Sequence, residues 1–296
     1  MTSSELRIGA VFPQTETGQS REDIRAWVEG VRDAKFTHMV AYDHVLSGDQ
    51  AFHHPKLVGR YDETKPFQEV MVLFGYMAAL APDLEVVSGV LILPQRQTAL
   101  VAKQASTVDI LTGGQFRLGV GIGWNDIEYQ GLNESFGNRG KRLEEQIDVL
   151  RTLWQEPIVT YEGEWHVIDH AGLAPLPLQR PIPIWIGGSA DVALRRAARL
   201  ADGFFSNSGI NLERAQHEVT IIRAELDRIH RDPATFGFEP RLNLAERNPE
   251  AWRRAVTWWR EAGATHLSIN TMNAGCITMD EHLAGLELVR SAIADL

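Results

Sequence analysis

The chain has 296 residues, 44% of them hydrophobic, and a formal net charge of −10, a composition that supports a large core and excludes a nucleic-acid footprint. Its single cysteine, Cys276, excludes internal disulfides and a cysteine-rich zinc site. No apolar run reaches the roughly 20 residues of a membrane span and no signal-peptide pattern opens the chain, so a soluble, cytoplasmic protein is expected.

Residues 6–12 form a compact apolar run closed by Pro13, which reads as a buried strand. Ser20 stands before Ile24, Trp27, Val28 and Val31, spaced for one helical face, with Asp23 as its capping partner. A second strand at 38–42 ends in Asp43-His44 and is followed by a polar loop, 46–65, containing His53, His54 and Pro55. Residues 67–80 read as a helix and 84–93 as a β-branched strand interrupted at Ser88-Gly89. A helix at 98–111 ends before Gly113-Gly114, and the fourth strand follows as Phe116, Leu118, Val120 and Ile122 alternating with Gly119, Gly121 and Gly123. Residues 126–140 read as a loop insertion and 142–154 as a helix. A hairpin is expected with arms at 159–161 and 165–167, turning at Glu162-Gly163. The proline-rich segment 175–183 leads into a fifth strand, 184–186. Then come helix 190–201, strand 203–206, helix 212–230, strand 239–245, helix 249–262, strand 266–270 and helix 281–294.

Eight strand–helix units in alternation argue for a parallel sheet covered by helices, and eight close naturally into one (β/α)8 TIM barrel spanning residues 1–296. Loop insertions follow strands two and four, and the hairpin precedes strand five. An open doubly wound sheet is the alternative. It explains less well why Gly119, Gly121 and Gly123 spell G-x-G-x-G and not the dinucleotide fingerprint G-x-G-x-x-G.

In a barrel the site is built at the strand C-termini. Gly119, Gly121 and Gly123 mark either a bulge in a small-residue layer or a close approach by another backbone or a flat ligand. Gly187-Gly188-Ser189, before a helix, offers free amides and a hydroxyl for an anion, or else an ordinary serine cap. Asp43-His44 is the best acid–base candidate, although neighbouring strand residues point to opposite sides and so should not pair. His53 and His54 look like surface or lid residues. The strand ends offer no converging set of His and carboxylate ligands, so no metal is expected, and no G-x-S-x-G elbow supports a hydrolase.

The ordered segments Ala41-Tyr42-Asp43-His44, Val87-Ser88-Gly89-Val90-Leu91-Ile92-Leu93-Pro94, Leu118-Gly119-Val120-Gly121-Ile122-Gly123-Trp124 and Pro183-Ile184-Trp185-Ile186-Gly187-Gly188-Ser189 resemble the bacterial luciferase-like family of flavin- and coenzyme F420-dependent oxidoreductases. Arg139-Gly140-Lys141-Arg142-Leu143-Glu144-Glu145 and Ala197-Ala198-Arg199-Leu200-Ala201-Asp202-Gly203 extend the likeness over about residues 6–206. The resemblance implies a barrel with the cofactor ring across the strand C-termini and a non-prolyl cis peptide at Gly89-Val90. His44 would be the catalytic residue. Asp43, Ser88, Gly89, Val90, Gly121, Gly123 and Trp124 would surround the cofactor, with Gly187, Gly188 and Ser189 at its phosphate.

Two positions depart from known members. Ile122 replaces the arginine that luciferase aims at the flavin phosphate, and Trp124 replaces the glutamate of the F420-dependent sugar-phosphate enzymes. The implied activity is hydride transfer between F420 and a small organic substrate. The alternatives are an FMN-dependent monooxygenase using reduced flavin and oxygen, and a cofactor-binding barrel without catalysis. A homodimer is implied by the family, and Trp252, Trp258 and Trp259 on the seventh helix would mark an interface wherever they are exposed. The loops at 46–65, 125–140 and 271–279 would shape the substrate pocket.

Overall fold

The computed structural model describes residues 6–53 and 61–296, so His54 and Pro55 lie outside the described residues. Eight parallel staves close into a barrel. In chain order they are β1 (Arg7–Val11), β2 (His38–Ala41), a divided third stave of β3 (Glu85–Ser88) and β4 (Leu91–Ile92), β5 (Phe116–Gly121), β8 (Ile184–Gly187), β9 (Gly203–Ser206), β10 (Gly237–Asn243) and β11 (His266–Asn270). β1 pairs with both β2 and β11, which closes the ring and leaves no open edge. The antiparallel pair β6 (Val159–Glu162) and β7 (Val167–Ala171) forms the expected hairpin outside the barrel. Its second arm lies further along than the sequence suggests, because Glu162 pairs with Val167 and the turn occupies residues 163–166.

The outer layer contains α1 (Arg21–Asp33), α2 (Val70–Leu80), α3 (Thr98–Leu111), α5 (Arg139–Gln155), α6 (Asp191–Leu200), α7 (Leu212–Arg228), α8 (Pro249–Glu261) and α9 (Met279–Ala292). Ser20 caps α1 by accepting from the Asp23 amide, and Ile24, Trp27, Val28 and Val31 form its buried face, as the spacing predicts. The segment expected to be a loop contains a further short helix, α4 (Asp126–Gly131), capped by Asn125. Trp252 and Trp259 are core residues and only Trp258 keeps partial exposure, so packing accounts for most of the aromatic content of α8. Among the described residues no helix is long and apolar enough to cross a membrane.

The barrel interior is not uniformly apolar. Arg117 on β5 donates to Glu239 of β10 at 2.6 Å and to Glu85 of β3 at 3.3 Å, and its guanidinium lies 4.4 Å from the Trp185 ring centroid. His38 meets the other Glu239 oxygen at 3.2 Å. Burial opposes the Arg117 charge, but Glu85 and Glu239 outweigh it and raise its pKa. This ionic layer lies beneath the rim and joins β2, β3, β5 and β10 across the barrel.

Candidate active site

At the C-terminal rim lies a cleft of about 410 Å³. Its construction begins at the end of β2, where Gln14 accepts from the Tyr42 amide at 2.5 Å and donates to the Tyr42 carbonyl at 3.0 Å. Held in this way, Asp43 and His44 leave the strand in opposite directions, as the alternation predicts. Asp43 accepts from the Ile92 amide at 3.0 Å and from Arg96 at 2.6 Å, and Arg96 also donates to Glu69 at 2.8 Å. Burial pushes the Asp43 carboxyl upward against Arg96, and burial likewise opposes the Arg96 charge, but Asp43 and Glu69 outweigh it and raise the guanidinium. Asp43 thereby ties β2 to the broken third stave.

His44 is buried between Glu128 of α4 and the loop residue Ser47. Its Nδ1 is 3.2 Å from Glu128 Oε1 and its Nε2 is 2.6 Å from Ser47 Oγ. Glu128 also accepts from the Val45 amide at 2.5 Å, the Leu46 amide at 3.1 Å and Gln95 at 2.9 Å. Burial works against its charge, but the bonds from His44, Val45 and Gln95 prevail and hold its carboxyl below the usual range. An ionised Glu128 only accepts, so Nδ1 carries the proton and Nε2 accepts from Ser47 in the neutral ring. Carboxylate, imidazole and hydroxyl form a continuous chain. The Phe67 and Trp124 rings flank the imidazole at 5.2 and 6.4 Å, and Trp124 is nearly parallel to it.

The opposite wall is the broken third stave. Between Val87 and Leu91 the chain advances four residues while β5 advances three, from Arg117 to Val120, which defines a bulge. The Gly89–Val90 peptide in it is cis. Ser88 closes the bulge from behind. Its hydroxyl donates to the Gly119 carbonyl and accepts from the Gly119 amide, each at 2.9 Å.

The glycines of β5 make room for this bulge. A Cβ at Gly119 would lie 1.8 Å from the Ser88 carbonyl oxygen, and one at Gly121 would lie 2.6 Å from Val90 Cγ2. Gly123 has a φ of +61°. Gly121→Val is expected to displace Val90 and cost about 1–3 kcal/mol. Thermal melting checks this, and an unchanged midpoint would mean that the bulge relaxes freely.

At the far end of the cleft are Gly187, Gly188 and Ser189, ahead of α6. The helix is capped by Ala190 without a side-chain hydrogen bond, so the reading of Ser189 as an ordinary cap does not hold. Arg196, whose Nε donates to Glu144 at 2.8 Å, reaches the same wall from within α6.

The cleft therefore brings together Asp43, His44, Gly89, Val90, Gly121, Gly123, Trp124, Gly187, Gly188 and Ser189. Ser88 is the exception, because its hydroxyl is spent on β5. Sequence reasoning missed Glu128, Ser47, Arg196 and Arg241. Asn125-x-x-Glu128 has the spacing of a helix start, a signal that could have exposed Glu128. Among the described residues no cluster of three or more His, Cys, Asp or Glu is placed to hold a metal ion.

The family model described as luciferase-like monooxygenase matches residues 6–288. The chain belongs to that family. An FMNH(2)-dependent dimethylsulfone monooxygenase of Pseudomonas fluorescens is 36% identical over 163 residues, which cover 54% of this chain and 44% of that one. The chain spans about half the length of the curated relatives it matches. Among solved structures, the monooxygenase RslO1 of Streptomyces bottropensis superposes with a TM-score of 0.80 at 16% identity, covering 98% of this chain and 99% of that one. An F420-dependent secondary alcohol dehydrogenase superposes with a TM-score of 0.74 at 15% identity, with the same coverage. Both solved structures thus share this barrel.

Proposed function

We propose that the cleft binds coenzyme F420 and that the protein transfers hydride between it and a small organic substrate. The observation that carries this reading is the form of the cleft. A bulged, apolar wall at Gly89 and Val90 runs between an imidazole at one end and Gly188, Ser189 and Arg196 at the other. A flat redox ring with a phosphate-bearing tail fits that sequence of surfaces. Gly89, Val90, Gly121, Gly123 and Trp124 would surround the ring, and Gly187, Gly188, Ser189 and Arg196 would hold the phosphate. When bound, the cofactor supplies or accepts the hydride, chemistry beyond any side chain present.

The chain's own residues do the remainder. His44 takes up or delivers a proton at Nε2, Glu128 keeps the opposite nitrogen protonated, and Ser47 links the ring to the loop. Trp124, 39% exposed at the mouth, covers the site from water. Ile122, which leaves β5 without a phosphate-directed arginine, favours F420 over a luciferase-like mode of binding FMN.

The second reading is a monooxygenase using reduced FMN, favoured by the similarity to the dimethylsulfone enzyme. Titration of the protein with F420 and with FMN, followed by tryptophan fluorescence, separates the two. F420 is expected to bind at micromolar concentration and FMN more weakly. Oxygen consumption dependent on reduced FMN would favour the second reading. Binding of neither cofactor would overturn both, and binding without turnover of any substrate would leave a catalytically idle barrel.

The homodimer belongs to the same proposal. Exposed Val72 on α2 and Leu100 and Leu111 on the adjoining α3 support it, and analytical sedimentation tests it.

A further inference from the structure

β10 and β11 end in a second chamber of about 540 Å³, which shares Tyr42, Tyr61 and Arg241 with the cleft. Arg241 stands in the partition. Its guanidinium lies 5.2 Å from the Tyr42 ring centroid and donates to the Tyr42 hydroxyl at 2.5 Å and to Asn207 Oδ1. Both acceptors are neutral, and among the described residues no carboxylate lies within ion-pair distance of Arg241. Arg196, the other arginine lining the cleft, is paired with Glu144, whereas Arg247, next along the chain from Glu246, donates to the Ala274 carbonyl.

Lys65, half-buried, adds a second cation to the chamber wall. The acid in that wall, Glu246, is already engaged, accepting from Asn243 Nδ2 at 3.1 Å and from Trp252 Nε1 at 3.0 Å. In a chain of net charge −10, two cations against one hydrogen-bonded carboxylate leave this cavity wall with an excess of positive charge.

We propose that this chamber is the substrate site and that the substrate is a small organic acid, its carboxylate or sulfonate held by Arg241 with Lys65 in support. The proposal rests on the reading of the adjoining cleft as the cofactor site. Arg241 presents a planar fork of donors that matches either anion, and it exchanges only neutral acceptors for a charged one. An acid anchored there extends toward the cleft past Tyr42 and Tyr61, which line both cavities. Arg241 is thus a specificity residue.

Calorimetric titration with hexanoate, hexanesulfonate and hexanamide, on the protein alone and on the cofactor-loaded protein, tests this. At least one of the two acids is expected to bind about tenfold or more tightly than the amide, and the better of them identifies the anion. Arg241→Gln is expected to weaken that binding by about 10- to 100-fold, with cofactor affinity and melting temperature unchanged. Lys65→Gln should weaken it less, by about 2- to 5-fold, and Arg241→Lys should restore part of the loss.

Equal binding of acids and amide, or an unchanged acid affinity in Arg241→Gln, would overturn the proposal. So would a loss of cofactor affinity in Arg241→Gln, which would assign the arginine to the cofactor's own anionic tail. If no cofactor binds the wild type, the reading of the cleft fails, while titration of the protein alone still decides the chamber.

Discussion

Glu239→Ala is expected to destabilise the protein by about 3–5 kcal/mol, because it breaks a buried ionic layer by removing its central acid. Glu239 is fully buried and serves Arg117 at 2.6 Å and His38 at 3.2 Å. Without it, Arg117, at 2% side-chain exposure, keeps Glu85 at 3.3 Å as its one carboxylate partner among the described residues, beside the Trp185 ring. Glu239→Gln retains hydrogen bonding and should cost less. Urea unfolding measures both, and a loss below about 1 kcal/mol in the alanine variant would show that the layer repacks or admits water.

The same layer gives the protein an acid sensitivity of definite sign. Burial opposes the charge of Glu239, yet Arg117 and His38 overcome it and hold the carboxyl far below its ordinary value of 4.5. His266 at the start of β11, whose ring lies 5.5 Å from that of His38, is pushed from 6.5 down to about 2, by burial first and by Arg117 second. Both groups bind protons less readily in the folded chain than in the unfolded one. Their stabilisation is present above the unfolded values and is lost as pH falls, from 6.5 downward for His266 and from 4.5 downward for Glu239. His266→Gln should therefore flatten the decline between neutrality and pH 5, with Glu239 governing the steeper loss below it.

The barrel was legible because most staves are short, largely apolar runs and several helices keep one apolar face, as α1 does with Ile24, Trp27, Val28 and Val31. The ends of the strands located the cleft for the same reason. What escaped were side chains whose meaning depends on a partner distant in sequence. Arg117, Glu239 and His38 are unremarkable singly, and only closure of the barrel sets them against one another. Glu128 was concealed in an apparent loop because α4 is a helix of six residues, too short to show a periodic face. Ser88 was placed in the site by its position at a strand end, but the bulge turns its hydroxyl onto Gly119. Gly119 and Gly121 of β5, with Gly123 just beyond it, were visible as a place of close approach. Their nearest neighbours are Ser88, Val90 and Ile92 of the third stave, so they shape the cleft floor through that stave.

His44→Ala is expected to lower turnover by about 10²- to 10⁴-fold, the range for removal of a positioned acid–base group. The imidazole is held from both sides, by Glu128 at Nδ1 and Ser47 at Nε2, and its surroundings are aromatic. Such a ring has one orientation and one neutral tautomer, so its loss removes both the proton carrier and its placement. Glu128→Gln separates these contributions. The amide can still accept at one atom, but it has no charge to hold the Nδ1 proton and presents an NH2 group where an acceptor is needed for Val45, Leu46 or Gln95. A smaller fall in turnover is therefore expected in Glu128→Gln, with cofactor affinity preserved and the pH profile changed in shape. Ser47→Ala discriminates further. If Ser47 conducts the proton, its loss should approach that of His44→Ala, whereas a serine that only steadies the ring should cost about tenfold or less. The measurement is the rate of cofactor oxidation or reduction by substrate in pre-steady-state mixing, across pH, for all three variants. Turnover of His44→Ala equal to that of the wild type would remove the histidine from the mechanism and leave the Glu128–His44–Ser47 chain as a clasp on the loop after β2.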